Sequence, residues 1–569
     1  MKPASKNILL LFLIIISVTS LLPVIGLTHY HTKGEPREAI VAVSMLQNDN
    51  WVLPENNGGD MAYKPPMFHW AIALSAVLFN GSEVNEFTSR FPSALAAIII
   101  AMGMFLFYTR GGRNKNLAFL SALVFLSAFE IHRGATSARV DMLLTMFIVL
   151  ALFDLYRWSM IRMKGVPFFA ILCMSAATLT KGPVGIVLPC LVSGVFLLFR
   201  KERLFPICYK LLLVALAACV LPACWYYMAY LQGGQEFIDL VIEENFERFT
   251  GKMSYVSHHA PPFYYLYITL AGFLPWTLLA LFSLFALSYT GTKEKCVNFA
   301  KSIKEKIAGM DPIRLFSIIT IFIILFFYLI PKSKRSVYLL PIYPFIAYFL
   351  ADYMRYLVSN HRKVWRVFGI VLATIAILFV GIFIALKCDL LHNYIPEDSY
   401  YYLTALQSWN IWDGICLVVI AILLHELYKS RNILSSQNRY SYSVITLFFW
   451  LQFTIDTAVL PDVLNRKSDY ELAQKVEEVI PEGKIYSYIK SPMMRFFVIN
   501  FYTDNRVVGF EDEQPQDGFL LVGEKDFTHF APKYCDNYEF TEMWKSPRRG
   551  NDTRDIVCMY RFTRKTINE

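Results

Sequence analysis

About thirteen apolar runs constrain this chain more than anything else in its sequence. They fall at roughly 8–27, 92–109, 117–131, 140–156, 166–179, 183–199, 211–229, 263–289, 313–330, 337–354, 367–386, 409–427 and 441–458. A hydrocarbon core about 30 Å thick is crossed by about 20 helical residues. In lipid every backbone N–H and C=O must bond within its own segment, so such runs fold as helices rather than as open strands. The rest of the composition agrees. Of 569 residues, 56% are hydrophobic and only 17% charged, with mean hydropathy +0.41, whereas soluble domains carry about 25% charge. Disordered, collagenous and small disulfide-rich classes are excluded. The net charge of +9 does not point to nucleic acid. Residues 459–569 hold 16 basic and 19 acidic side chains, so the positive excess belongs to the lipid-embedded part.

The first run follows Lys6 and has no small-x-small cleavage pattern, so it reads as a retained helix rather than a removed signal peptide. With Met1 on the cytoplasmic side, the cytoplasmic connections lie near 110–116, 157–165, 200–210, 290–312, 355–366 and 428–440. Each holds at least three Lys or Arg, so the positive-inside rule is satisfied at every crossing. The expected fold is a membrane all-α polytopic bundle, residues 1–458, in the inner (plasma) membrane. Its first outer loop is 28–91, and an outer soluble α/β domain occupies 459–569.

Some basic residues lie on the other side. Arg133, Arg139, Lys181, Lys332, Lys334 and Arg335 sit in short outer connections, and Arg37 and Lys64 in the first outer loop, flanked by Lys33 and Arg90. An unpaired ion beside hydrocarbon costs roughly 3 kcal/mol or more. Single residues of this kind snorkel into headgroups. A whole set on one face is better matched by a lipid-linked phosphate. Within the loop, Pro36 to Leu46 has helical spacing and reads as an interfacial helix, with Glu35 beside its positive N-terminus. Pro66 to Leu78 reads as a second.

In the tail, 465–479 has a helical pattern, and 484–489, 506–510 and 519–522 read as short strands. No catalytic signature appears there; a lid, docking or stabilising role is expected. Cys173, Cys190, Cys219, Cys224 and Cys416 lie in spans as small apolar residues, no cysteine pair has metal spacing, and Cys535 and Cys558 can pair in an oxidising compartment. No P-loop, Gly-rich dinucleotide fingerprint or HExxH is present.

The order of the outer motifs is GEPREA (34–39), NWVLP (50–54), AYKPPMFHW (62–70), SRFPSALAA (89–97), ARVDMLL (138–144), TLTKGPVGI (178–186), ENFERF (244–249), HHAPPFYY (258–265), AGFLPW (271–276) and KSKRSVYLLP (332–341). This collinear series resembles the aminoarabinose-transferase-type lipid-linked-sugar glycosyltransferases of the GT-C superfamily, which also holds the protein O-mannosyltransferases. The resemblance implies an inverting enzyme that moves a sugar from a polyprenyl-phosphate carrier to an acceptor on the outer face. Lipid A phosphate is the acceptor it suggests; a glycan or a protein hydroxyl remains open. It implies lipid-phosphate binding by Lys64, Lys181 and Lys334, with Arg37, Arg139, Arg248, His259, Lys332 and Tyr338 around them. It also implies catalytic carboxylates at Glu35 and Asp141, Asp141 being able to pair with Arg133, Arg139 or Lys181. Preorganised cations suit this chemistry because the departing phosphate gains negative charge in the transition state.

Two departures stand out. The family's Asp-Glu-x-Arg is Gly34-Glu35-Pro36-Arg37 here, and its Glu-Lys-Pro is Tyr63-Lys64-Pro65. The second removes an acidic neighbour of Lys64 and a metal ligand it could supply; the residues name no cofactor, and whether a divalent metal is needed stays open. The donor sugar stays open. A flippase or exporter of lipid-linked sugars would also need many spans, but it would place ionisable residues along a path through the membrane; here they gather at outer ends. A protein O-glycosyltransferase of the same fold is the other alternative.

Overall fold

A computed structural model of the chain describes residues 5–243, 260–261, 263–285, 309–331, 333–431, 437–490 and 496–565. The candidate residues Arg248, His258, His259 and Lys332 lie outside them.

Every predicted apolar run contains helix. Among the described residues, seven helices are long and apolar enough to cross a membrane, or nine if two bent pairs each count as one. The expected count of thirteen is not reached by that measure, for three physical reasons. Lys6–Leu21, Phe168–Lys181 and Val184–Phe199 have only 16, 14 and 16 residues. Val140–Met160 is 21 residues long but carries Asp141, Asp154 and Arg157. Two runs are broken: Lys115–Leu126 and Phe129–Ala135 meet at 68°, and Tyr264–Gly272 and Trp276–Leu284 at 108°. The chain is a multi-pass membrane protein.

The chain forms two compact units. The first comprises Met1–Pro23, Ser93–Gly381 and Gly414–Phe453. Its helices Val140–Met160, Phe168–Lys181, Val184–Phe199 and Leu204–Ile242 pack around Ala151, Leu155, Met174, Leu197 and Ala218. Small side chains such as these alanines let membrane helices approach closely. Asp154 caps one end of this group: its Oδ2 accepts the Ala170 N–H at 3.2 Å and its Oδ1 pairs with Arg157 at 2.8 Å. An otherwise orphaned donor in the first turn of Phe168–Lys181 is thereby satisfied.

The second unit comprises Val24–Pro92, Ile382–Asp413 and Thr454–Glu569. Its tail holds a five-stranded sheet of β1 (Ile485–Tyr488), β2 (Val507–Gly509), β3 (Asp517–Gly523), β4 (Tyr538–Arg549) and β5 (Ile556–Arg564). The strand order is β2-β1-β3-β5-β4, with β1 parallel to β2 and β3, and β5 antiparallel to β3 and β4. One face buries Leu472, Val476, Phe496 and Ile499 against Leu521 and Met559; the other buries Phe530 against Phe510 and Phe562. This is the expected small α/β domain, with the added β4–β5 hairpin. Cys535 and Cys558 are both free thiols, the first exposed and the second buried.

The tail grips the first long loop. Ser468 Oγ donates to the Tyr30 carbonyl at 2.6 Å, Asn551 to the His31 carbonyl at 2.6 Å, and Asn465 accepts the His29 N–H at 2.7 Å. Residues Glu55 and Met61 bridge across a tight turn whose Gly58 pairs with Val508 at the β2 edge of the sheet. Asn57 within that turn is buried and accepts a hydrogen bond from the amide of buried Asn500. The turn runs directly into Lys64, so the tail positions the loop that presents this cation. Asn57→Ala is expected to remove this pin, at about 1 kcal/mol, and to lower transfer several-fold. The tail would stay folded, and a far-ultraviolet spectrum with the activity assay checks both.

Candidate functional site

The helix Gly34–Gln47 supplies two carboxylates one turn apart, Glu35 and Glu38. The resemblance implies a catalytic role for Glu35; in the structure that carboxylate is paired with Arg90. Arg90, 1% exposed, donates from Nε to Glu35 Oε1 at 2.8 Å and from Nη2 to Oε2 at 3.3 Å. The same guanidinium reaches the carbonyls of Ile25 at 2.9 Å and Thr28 at 2.7 Å. Glu35 is therefore half of a buried fork that ties the start of the loop to Arg90. Both of its oxygens accept from Arg90, and it lies in the first turn of its helix.

Glu38, one turn further on, meets a different set of partners. Its Oε1 meets Lys64 Nζ and lies 3.5 Å from Arg37 Nη2; its Oε2 lies 2.9 Å from His69 Nε2. These four side chains line an open pocket with Val41, Asn56, Ala62 and Tyr63. Burial alone would push the Glu38 carboxyl up, but the Lys64 ammonium, the His69 hydrogen bond and the Arg37 guanidinium hold it well below the usual carboxylate range. The sequence does offer a signal for His69: it falls on the second loop helix, Met67–Phe79, five residues after Lys64 in the AYKPPMFHW motif.

The first unit gathers a second group. TLTKGPVGI forms a tight corner: Gly182, at φ +78°, ends the helix Phe168–Lys181 and returns its N–H to the Thr178 carbonyl at 2.8 Å, and Pro183 leads into the next helix. Lys181 is thus the last residue of its helix. There it pairs with Asp141, in the first turn of Val140–Met160, as one of the pairings the sequence allows. Its ammonium also lies 4.6 Å from the Tyr338 ring centroid, and Tyr338 stacks on Tyr328 at 5.3 Å. Arg139 and Arg335 add positive charge around the same carboxylate. Lys334 is buried and donates to the Pro331 carbonyl at 2.8 Å, beside a Ser333 hydroxyl with no partner among the described residues. Arg133 pairs with Glu130 at 2.6 Å and donates to Ser336 Oγ at 3.1 Å.

The expected donor-site residues thus divide between the units: Arg37 and Lys64 in one, Arg139, Lys181, Lys334 and Tyr338 in the other. Among the described residues no three His, Cys, Asp or Glu side chains come together as a metal site. Glu38 and His69 are two donors, and Lys64 already holds the carboxylate oxygen a metal would need. Beside Lys64 and Arg37 this donor set suits an anion.

A family model described as dolichyl-phosphate-mannose-protein mannosyltransferase matches residues 63–226. A protein of Aquifex aeolicus is 29% identical over 88% of this chain and 88% of its own length. The undecaprenyl phosphate-alpha-4-amino-4-deoxy-L-arabinose arabinosyl transferase of Photorhabdus laumondii is 23% identical over 71% of this chain and 70% of its own. Among solved structures, ArnT from Cupriavidus metallidurans bound to undecaprenyl phosphate superposes with a TM-score of 0.70 at 19% identity, covering 98% of both chains.

Proposed function

We propose that this aminoarabinose-transferase-like glycosyltransferase takes a sugar from a polyprenyl phosphate on the outer face of the inner membrane and places it, with inversion, on lipid A phosphate. The C1–O bond to the carrier phosphate breaks as the bond from C1 to the acceptor oxygen forms, and polyprenyl phosphate leaves with the bonding pair. The observation that carries this reading is the pocket in which Lys64 and Arg37 stand over buried Glu38 and His69. Cations already fixed in place stabilise the charge that the leaving phosphate gains. Lys181, Arg139 and Lys334 are a second cationic group, and Asp141 holds Lys181 in register.

The relatives' named donor, undecaprenyl-phosphate aminoarabinose, supports the carrier class. The positive-inside pattern supports the outer orientation. A protein acceptor is the second reading, favoured by the mannosyltransferase match over 63–226.

The test is reconstitution of the full chain with undecaprenyl-phosphate aminoarabinose and lipid A, read by mass spectrometry. One added aminoarabinose on lipid A is the expected product. Donor consumed with lipid A unmodified, and sugar found on protein, would move the acceptor to the second reading. Intact donor carried across a sealed vesicle would make the protein a carrier.

A further inference from the structure

We infer that Glu38 is the resting counter-ion of the donor-binding cations, and that it accepts the acceptor's proton only after the donor phosphate has replaced it on Lys64. This rests on the donor reading above and adds the order of events and the proton's destination.

The arrangement is graded from mouth to floor. The side chains of Arg37 and Lys64 are 39% and 29% exposed, whereas those of Glu38 and His69 are 7% and 2% exposed. An arriving phosphate therefore meets the cations first. Guanidinium and ammonium both bond phosphate oxygens strongly, and a phosphate brings more charge than one carboxylate.

The two oxygens of Glu38 respond differently. Oε1 is the one shared by Lys64 and Arg37; Oε2 is bonded to His69 on the floor of the pocket. When the phosphate draws the two cations outward, Oε1 is released toward the pocket while Oε2 stays anchored. Two of the groups that suppress the carboxylate's basicity, Lys64 and Arg37, are those the donor draws away, while the His69 hydrogen bond stays. A hydroxyl acceptor then gives its proton to Oε1 as its oxygen attacks C1, and the carrier phosphate departs onto Lys64 and Arg37. With an already ionised phosphate acceptor no proton moves, and Glu38 would be dispensable for turnover. The proposal thus commits the acceptor to a protonated hydroxyl, either a sugar or protein hydroxyl or a phosphate monoanion's P–OH.

The experiment uses the full chain in lipid nanodiscs and two readouts: binding of undecaprenyl phosphate, and conversion of undecaprenyl-phosphate aminoarabinose to undecaprenyl phosphate in cell membranes that supply their own acceptors. Glu38→Gln is expected to bind undecaprenyl phosphate about 10-fold more tightly, since Lys64 has lost its competitor, and to lose kcat by about 100-fold or more. Glu38→Asp, which keeps the charge, is expected to recover part of kcat and the parental affinity. Weaker binding in Glu38→Gln with the same loss of kcat would make Glu38 a mere wall of the pocket. Retained kcat would remove the proton transfer. Lys64→Ala binding undecaprenyl phosphate as the parent does would instead remove the donor reading itself. If Glu38→Gln does not fold, Glu38→Leu takes its place in the binding measurement and decides the counter-ion part, and kcat of Glu38→Asp decides the rest: a variant as fast as the parent sinks the proton transfer, since a shortened side chain cannot reach both His69 and the acceptor.

Discussion

Lys64→Ala is expected to lose sugar transfer by about 100- to 1000-fold, the range seen when a single preorganised donor to developing negative charge is removed. Donor binding is expected to weaken as well, because the ammonium meets phosphate in the ground state too. The two effects separate in a kinetic analysis: a rise in KM reports ground-state contact and a fall in kcat reports charge that develops during bond cleavage. Lys64→Arg keeps the charge but replaces a compact ammonium by a broad planar fork, so it is expected to recover donor affinity more than kcat. Lys484, whose exposed side chain pairs with Glu513 in the tail, provides the control. Its alanine variant is expected to transfer at the parental rate. If Lys64→Ala transfers as fast as the parent, the pocket around Glu38 is not where the phosphate is held.

The contrast between Glu35 and Glu38 shows where the sequence stops being readable. Both carboxylates lie in the opening turns of the same helix, and the motif around them is equally compatible with either as the chemical group. Their difference is made by partners distant in the chain. Arg90 is 55 residues from Glu35, and Lys64 and His69 are 26 and 31 residues from Glu38. Which carboxylate faces which cation is a tertiary fact that helical spacing does not contain. Lys181 is the opposite case: Gly at the helix end and Pro at the start of the next are local signals, and they place the lysine at a corner before any contact is known. The spans divide in the same way. Apolar windows mark each helix, and Pro275 marks the break before Trp276 locally, but the bend at Ser127–Ala128 lies where packing acts, with the Trp276 indole on Ser127 at 2.9 Å. In the tail, neither β4 nor β5 is among the expected strands: Glu539, Glu542, Lys545, Pro547, Arg548 and Arg549 obscure the alternation of β4, and the pairing of the two supplies the order instead.

Glu35→Gln is expected to fail as a folded protein before it fails as an enzyme. Breaking one side of a buried ion pair leaves the other charge uncompensated and costs roughly 3–5 kcal/mol. Here the stranded group is Arg90, at 1% exposure. A neutral amide can accept from one arm of the fork but opposes the other with its own N–H donors. The thermal midpoint is expected to fall on the order of 10 °C, and the yield of folded chain with it. Glu35→Leu combined with Arg90→Met removes both charges and is expected to be less damaging than Glu35→Gln alone, because no buried ion remains. Recovery should be partial, since the carbonyls of Ile25 and Thr28 lose the donor that Arg90 Nη1 gives them. The double variant also separates the two roles a carboxylate could have at this position. If Glu35 only ties the loop to Arg90, whatever fraction of the double variant folds should transfer sugar at near the parental kcat. If Glu35 handles the acceptor, the folded fraction should be inactive, and a Glu35→Gln protein with an unchanged midpoint and no turnover would return the catalytic assignment from Glu38 to Glu35.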